Sequence, residues 1–108
     1  MTNRKIKESP LSQGEDESIT YTLTTTPWGT SPTGVAVKVF DVTDAQATAD
    51  WEDVTATVMP VNSPAVNADV ITLSPLEALT DGKIYRIEIS FTCGTSTFET
   101  YGIIIGGE

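Results

Sequence analysis

The stretch LTDGKIYRIEISFT, residues 79–92, decides the fold class of this chain. From Ile84 onward, apolar and polar residues alternate. A period of two predicts a β-strand with one buried face and one face toward solvent. Tyr85, Ile87, Ile89 and Phe91 share the face that we expect to be buried.

The same period returns along most of the chain. It predicts strands at residues 3–8, 17–25, 35–42, 53–59, 69–73, 84–92 and 97–105, separated by segments rich in proline and glycine. Single helical turns are predicted only at 44–52 and 75–79. Many short strands with regular turns predict an all-β sandwich. The predicted core consists of Ile19, Tyr21, Leu23, Val37, Val39, Tyr85, Ile87 and Ile89.

The turn before residue 84 indicates which type of β-sandwich to expect. Asp81-Gly82 followed by Tyr85 resembles the tyrosine corner of immunoglobulin-like domains, in which the hydroxyl bonds to the backbone a few residues upstream. Ile87 stands where antibody domains carry a cysteine, so the resemblance is to relatives without a disulfide. We therefore predict an immunoglobulin-like antiparallel β-sandwich of about seven strands over residues 15–108. Residues 1–14 are predicted to be an N-terminal arm or a first edge strand.

Charge is unevenly distributed along the chain. The net charge is −9, yet Arg4, Lys5 and Lys7 supply half of the six basic residues. From Glu8 to Glu108 there are 15 acidic against three basic residues, which gives −12. An acidic surface repels phosphate backbones and anionic lipid, so neither nucleic acid nor a membrane is an expected partner.

The composition argues against catalysis. With no histidine, the chain lacks the commonest general base and the commonest metal ligand. The acidic runs at 15–17 and 50–53 do not have the spacing of a known calcium loop, and we interpret them as charge that discourages edge pairing. Cys93 has no partner for an internal disulfide, and we interpret it as structural. No catalytic residue, metal or cofactor is predicted.

Two segments are candidate interfaces. Pro27, Trp28 and Gly29 form a loop in which Trp28 could anchor a partner or cover one end of the core. Loops 26–34, 60–68 and 93–96 are expected to gather at that end, and most acids at the other. The basic N-terminal segment, with Arg4, Lys5 and Lys7, could pair as an edge strand or dock on the acidic body of the next copy, closing a ring. Trp51 is interpreted as a core or corner residue.

Five segments together resemble the small virion proteins of tailed bacteriophages and prophages that are described as fiber–tail adaptors. They are IKESPLSQG at 6–14, YTLTTTPWG at 21–29, KVFDVT at 38–43, DVT at 53–55 and LTDGKIYRIE at 79–88. The resemblance implies a non-enzymatic structural subunit, made in the bacterial cytoplasm and present in several copies in the virion. Other virion proteins of the tail, neck or fiber would be its partners. Two alternatives stay open: a receptor- or glycan-binding module, and a capsid decoration protein.

Overall fold

The computed structural model describes residues 3–5, 11–44 and 50–107, which form nine strands and one short helix. In chain order these are β1 (Asn3–Lys5), β2 (Leu11–Gln13), β3 (Thr22–Thr24), β4 (Thr33–Asp41), β5 (Glu52–Asp53), α1 (Thr55–Val58), β6 (Ala65–Asn67), β7 (Val70–Thr72), β8 (Ile84–Cys93) and β9 (Ser96–Gly106).

The strands form two sheets that pack face to face. The six-stranded sheet has the order β1-β9-β8-β4-β5, with β2 also pairing with β9, and the three-stranded sheet has the order β3-β7-β6. Leu23 and Ile71 of the small sheet share one buried cluster with Val39, Ile89 and other residues of the large sheet. The predicted all-β sandwich is confirmed, although the described residues form more strands than the seven predicted.

The hairpin of β8 and β9 is the longest paired element, with register from Ile84↔Ile105 to Cys93↔Ser96. Its turn needs Gly94, whose φ of 62° is costly for other residues. At the opposite end, the hydroxyl of Tyr85 accepts a hydrogen bond from the backbone N–H of Thr80 at 2.8 Å. This is the bond predicted for the corner before β8.

The strand predicted at 17–25 is shorter than expected, because its partner contains Pro75. Leu73 N–H donates to the Tyr21 carbonyl, and Leu76 and Ile19 exchange backbone hydrogen bonds. Pro75, lying between them, has no N–H to donate. Regular pairing therefore survives only at β3. Where the sequence predicted a helical turn at 75–79, the structure has no helix, and Leu76 forms the bridge to Ile19. The other predicted helical turn, at 44–52, falls mostly outside the described residues.

The prediction of a strand at 53–59 is wrong beyond Asp53. The Asp53 carboxylate accepts hydrogen bonds from the backbone N–H of Thr55 at 3.0 Å and from its hydroxyl at 2.7 Å. The same hydroxyl accepts a bond from the Val39 N–H. A side chain thus replaces the backbone pairing that a longer β5 would need, and the chain turns into α1.

The core contains six of the eight predicted residues. Ile19 and Tyr21 are only half-buried, and the Tyr21 hydroxyl donates a hydrogen bond to the Gln13 side chain at the sandwich edge. The sequence pattern missed several fully buried residues that lie in or beside loops, namely Val58, Met59, Leu73, Leu76 and Leu79.

The N-terminal segment joins the large sheet within the same chain. Asn3–Lys5 pairs in parallel with 99–101, and Leu11–Gln13 pairs in parallel with 104–106. This pairing is the edge-strand alternative for the part of the segment that is described. The side chains of Arg4 and Lys5, and Lys7 itself, lie outside the described part of the chain, so the predicted contact with a second copy stays a prediction.

Candidate interaction surfaces

The loop that carries Trp28 rests against the core. Backbone N–H groups of Trp28 and Gly29 both donate to the Thr25 carbonyl at 2.8 Å. The half-buried Trp28 ring lies 6.1 Å from the ring of Phe91, between centroids, at a tilt of 45°. Pro27 is exposed beside it. The contact with Phe91 gives Trp28 a role in packing. Because the residue is still partly exposed, its predicted role as an interface anchor stays a prediction.

Gly29 fits this loop because there is no room for a side chain. A Cβ at this position would lie 2.6 Å from the Cβ of Cys93. Loops 26–34 and 93–96 therefore meet at one end of the sandwich, as predicted. The third loop predicted there, 60–68, instead contains strand β6 at Ala65–Asn67. Burial, and after it the Asp69 carboxylate, raises the pKa of the Cys93 thiol. A raised thiol pKa disfavours the reactive thiolate, which agrees with a structural role.

Asp69 fixes the same loop from the small sheet, and sequence reasoning missed it. Its carboxylate accepts hydrogen bonds from the Thr26 hydroxyl at 3.0 Å and from the Ser31 N–H at 3.2 Å. Its carbonyl accepts the Thr25 N–H at 2.7 Å. Most acidic residues were expected at the other end of the molecule, yet the carboxylate of Asp69 organises this end.

The opposite end is acidic, as predicted. Glu15, Asp16, Glu17 and Asp81 line an open depression of about 410 Å³ beside Gly107. Glu17 accepts the Gly14 N–H and so caps its own turn. Among the residues that the structure describes, no group of three or more acidic or cysteine side chains could hold a metal ion.

The large sheet has a second candidate surface on its outer face, the face turned away from the small sheet. Burial alternates along β9, with Thr100, Gly102 and Ile104 inside and Tyr101, Ile103 and Ile105 outside. The three outward residues are thus more apolar than Thr100 and Gly102, which face inward. A sheet face in water normally carries polar residues, so this strand has an unusual outward row.

Aromatic residues and one arginine continue this surface across the neighbouring strands. Trp51 lies 5.7 Å from Phe40, between ring centroids, and is not part of the core cluster. The core role predicted for Trp51 is therefore wrong, because the ring packs against Phe40 on the outer face of β4, and the corner role stays a prediction. The guanidinium carbon of Arg86 lies 4.8 Å from the Trp51 ring and 3.8 Å from the Tyr101 ring. Arg86 also donates to Glu88 at 2.8 Å.

Register fixes the rows of this outer face. From one end to the other, the rows across β4, β8 and β9 are Ala36–Ser90–Glu99, Lys38–Glu88–Tyr101 and Phe40–Arg86–Ile103. A fourth row pairs Ile84 with Ile105, whose side chains are 38% and 39% exposed. Small residues in the first row leave a depression of about 210 Å³ between Lys38, Glu88 and Glu99. Hereafter "the outer face" means these four rows together with Trp51.

Comparison with known proteins adds no relative: no family model, no curated protein and no solved structure matches this chain. Among the described residues, no helix is long and apolar enough to cross a membrane.

Proposed function

We propose that this chain is a non-enzymatic structural subunit of a virion, an adaptor that joins fibers or neighbouring subunits to a phage tail or neck. The outward row of β9, in which Ile105 is exposed and Tyr101 and Ile103 are half-buried, carries the proposal that the chain works by binding protein. Exposed apolar surface rimmed by polar residues marks protein contact sites, and Trp, Tyr and Arg are the residues most enriched at their energetic centres. The virion assignment is supported by the five segments that resemble adaptor proteins.

The proposal includes an immunoglobulin-like type of sandwich. Support comes from the pairing of β4, β8 and β9 in one sheet and of β3, β7 and β6 in the other, together with the bond between Tyr85 and Thr80. Domains of that type divide their strands in this way.

The glycan-binding alternative has less support from the outer face. A sugar ring stacks on the free face of an aromatic side chain. At Trp51 and Tyr101 the Arg86 guanidinium already lies over a ring face. Trp28 turns its ring toward Phe91. A glycan array tests this directly, and a hit that depends on Trp28 would replace the adaptor proposal by the glycan-binding one.

Two measurements test the adaptor proposal. Virions labelled with an antibody to the chain should show the label at the tail or neck, and label over the capsid would indicate a decoration protein instead. In phage lacking the gene, an Ile84→Thr/Ile105→Thr variant should enter virions about tenfold less than the unaltered chain, because it removes apolar contact area.

The matched control for this variant is Val61→Thr/Val66→Thr. Val61 and Val66 are also exposed, at 61% and 43%, but lie outside the outer face, Val66 in β6 of the small sheet and Val61 ahead of that strand. The control should enter virions normally. Equal incorporation of both variants would show that the outer face does not bind the virion.

A further inference from the structure

The hydrogen bonds at the two ends of β3 show which of its backbone groups point out of the small sheet. Leu73 N–H donates to the Tyr21 carbonyl at 2.9 Å, and Thr25 N–H donates to the Asp69 carbonyl at 2.7 Å. Antiparallel strands bond at alternate residues. Leu23, midway between Tyr21 and Thr25, is therefore the residue of β3 whose N–H and C=O both bond to β7.

Thr22 and Thr24 lie between these bonded positions, so the N–H and C=O groups of both residues point away from β7. Among the residues that the structure describes, none forms a hydrogen bond to these four groups. Both threonines are exposed. The outer side of β3 is thus an open sheet edge that offers two donors and two acceptors.

The other strands that end the two sheets are protected against further pairing. Proteins normally protect such edges with charged residues or proline. The protecting residues are Arg4 and Lys5 in β1, Pro10 directly before β2, Glu52 and Asp53 in β5, and Pro64 directly before β6. Strand β3 contains no charged residue and has no adjacent proline, so its edge stays able to pair.

The segment around β3 is also uncharged. From Ser18 to Val37 there is no charged residue, although the whole chain carries −9. Two copies of so acidic a chain repel each other over most of their surface. At β3 they can approach without bringing charged residues of this segment together.

The open edge is complementary to a copy of itself. A half-turn about an axis perpendicular to the sheet lays β3 antiparallel to β3 of a second copy. With the axis beside Leu23, Thr22 of each copy lies opposite Thr24 of the other, and each pair exchanges two N–H···O=C bonds. All four open groups of each copy are then used. The threonine side chains of each pair lie side by side, which stabilises a sheet, and the apolar Leu23 meets its counterpart at the axis.

We infer that two copies of this chain pair edge to edge through β3, so that their three-stranded sheets join into one sheet of six strands. Such an interface is isologous, since the same edge serves both copies. The inference goes beyond the proposed function and does not rest on it, because β3 belongs to the small sheet and the outer face to the large one.

Hydrogen exchange of the unaltered chain tests this contact at single residues. Between about 10 μM and about 1 mM protein, exchange of the Thr22 and Thr24 amide protons should slow about fivefold or more as the pair forms. The Val66 amide is the internal control. Val66 lies opposite Ile71, whose backbone bonds go to β3, so its N–H points out of the other edge of the same sheet. Exchange that does not depend on concentration at Thr22 and Thr24, or that slows equally at Val66, would overturn the inference.

Thr24→Pro tests the same edge by substitution. The variant removes one outward donor from each copy and places the proline ring in the contact, whereas the bonds between Leu23 and β7 remain. Sedimentation equilibrium from about 10 μM to about 1 mM should show dimerisation at least about tenfold weaker than for the unaltered chain. Thr24→Val is the control, since it keeps the N–H and the branched shape, and it should dimerise like the unaltered chain.

A monomeric unaltered chain, or equal dimerisation of Thr24→Pro and Thr24→Val, would contradict pairing through β3. If Thr24→Pro does not fold, the exchange measurement on the unaltered chain decides. Ile84→Thr/Ile105→Thr should dimerise normally, because it alters only the outer face. A monomeric chain whose Ile84→Thr/Ile105→Thr variant fails to enter virions would leave the proposed function intact and remove only the β3 pair.

Discussion

At the scale of single residues, polar side chains form hydrogen bonds to the backbone where regular pairing between strands ends. The Tyr85 hydroxyl closes the turn before β8, and the Thr55 hydroxyl stands in for a strand partner of Val39. Gln13 is fully buried and donates to the carbonyls of Leu76 and Glu17 while accepting from Tyr21. Buried polar groups are tolerated when they are hydrogen-bonded in this way.

Tyr85→Phe tests the corner bond. The ring stays in the core, but the Thr80 N–H loses its acceptor, so the free energy of unfolding should fall by about 1 kcal/mol. Chemical denaturation measures the change. Tyr101→Phe, on the outer face, is the control and should change stability by less than about 0.5 kcal/mol. Equal effects of the two substitutions would show that the corner bond contributes nothing specific.

At the scale of elements, the two surfaces differ in how they are supported. Apart from Trp51, the outer face lies on β4, β8 and β9, whose backbone bonds place their outward residues in register. The loop with Trp28 depends on separate contacts to Phe91, Cys93 and Asp69. Sites built on paired strands are held more firmly than sites on loops.

Trp28→Ala separates the two roles of that ring. Because the ring is partly buried against the core, we expect the free energy of unfolding to fall by about 2 kcal/mol, less than for a fully buried tryptophan. Pro27→Ala, an exposed neighbour, should stay within about 0.5 kcal/mol. An unchanged thermal melt combined with weaker virion assembly would instead establish Trp28 as an interface anchor.

At the scale of the whole molecule, acidity governs how the fold responds to pH. Among the described residues, two carboxyl groups have lowered pKa values. For Asp53 the cause is hydrogen bonds from Thr55, and for Asp41 burial raises the pKa but bonds from Thr43 and the ion pair with Lys83 outweigh it. Both groups favour the folded state only while they are ionised.

The sign of the pH dependence follows from these shifts. The unfolded carboxyl groups titrate near 3.8. The stability that the two groups contribute is complete above that pH and is lost as the pH falls below it, through their lower folded pKa values. Asp41→Asn/Asp53→Asn should flatten this part of a plot of unfolding free energy against pH. An unchanged slope in the double variant would mean that other carboxyl groups control acid unfolding.

The sequence by itself determined the fold class, the two longest strands and the corner at Tyr85, because alternation and turn chemistry are local signals. It also located the acidic end. Only the tertiary structure placed Pro75 opposite the strand predicted at 17–25, and only there did its missing N–H end the pairing. Only packing, likewise, brought Thr55 to Val39 and turned a predicted strand into α1.

The outer face is the clearest case of what tertiary structure decided. The run Ile103-Ile104-Ile105 is apolar on both faces of β9, so alternation cannot tell which side is buried. The small sheet covers the side of Ile104 and leaves Ile103 and Ile105 outward. Arg86 likewise meets Trp51 and Tyr101, distant in sequence, only because β9 and the segment before β5 flank it in space. The packing of the two sheets decides which apolar side chains stay exposed to a partner. The alternation of apolar and polar residues in the sequence does not show how the sheets pack.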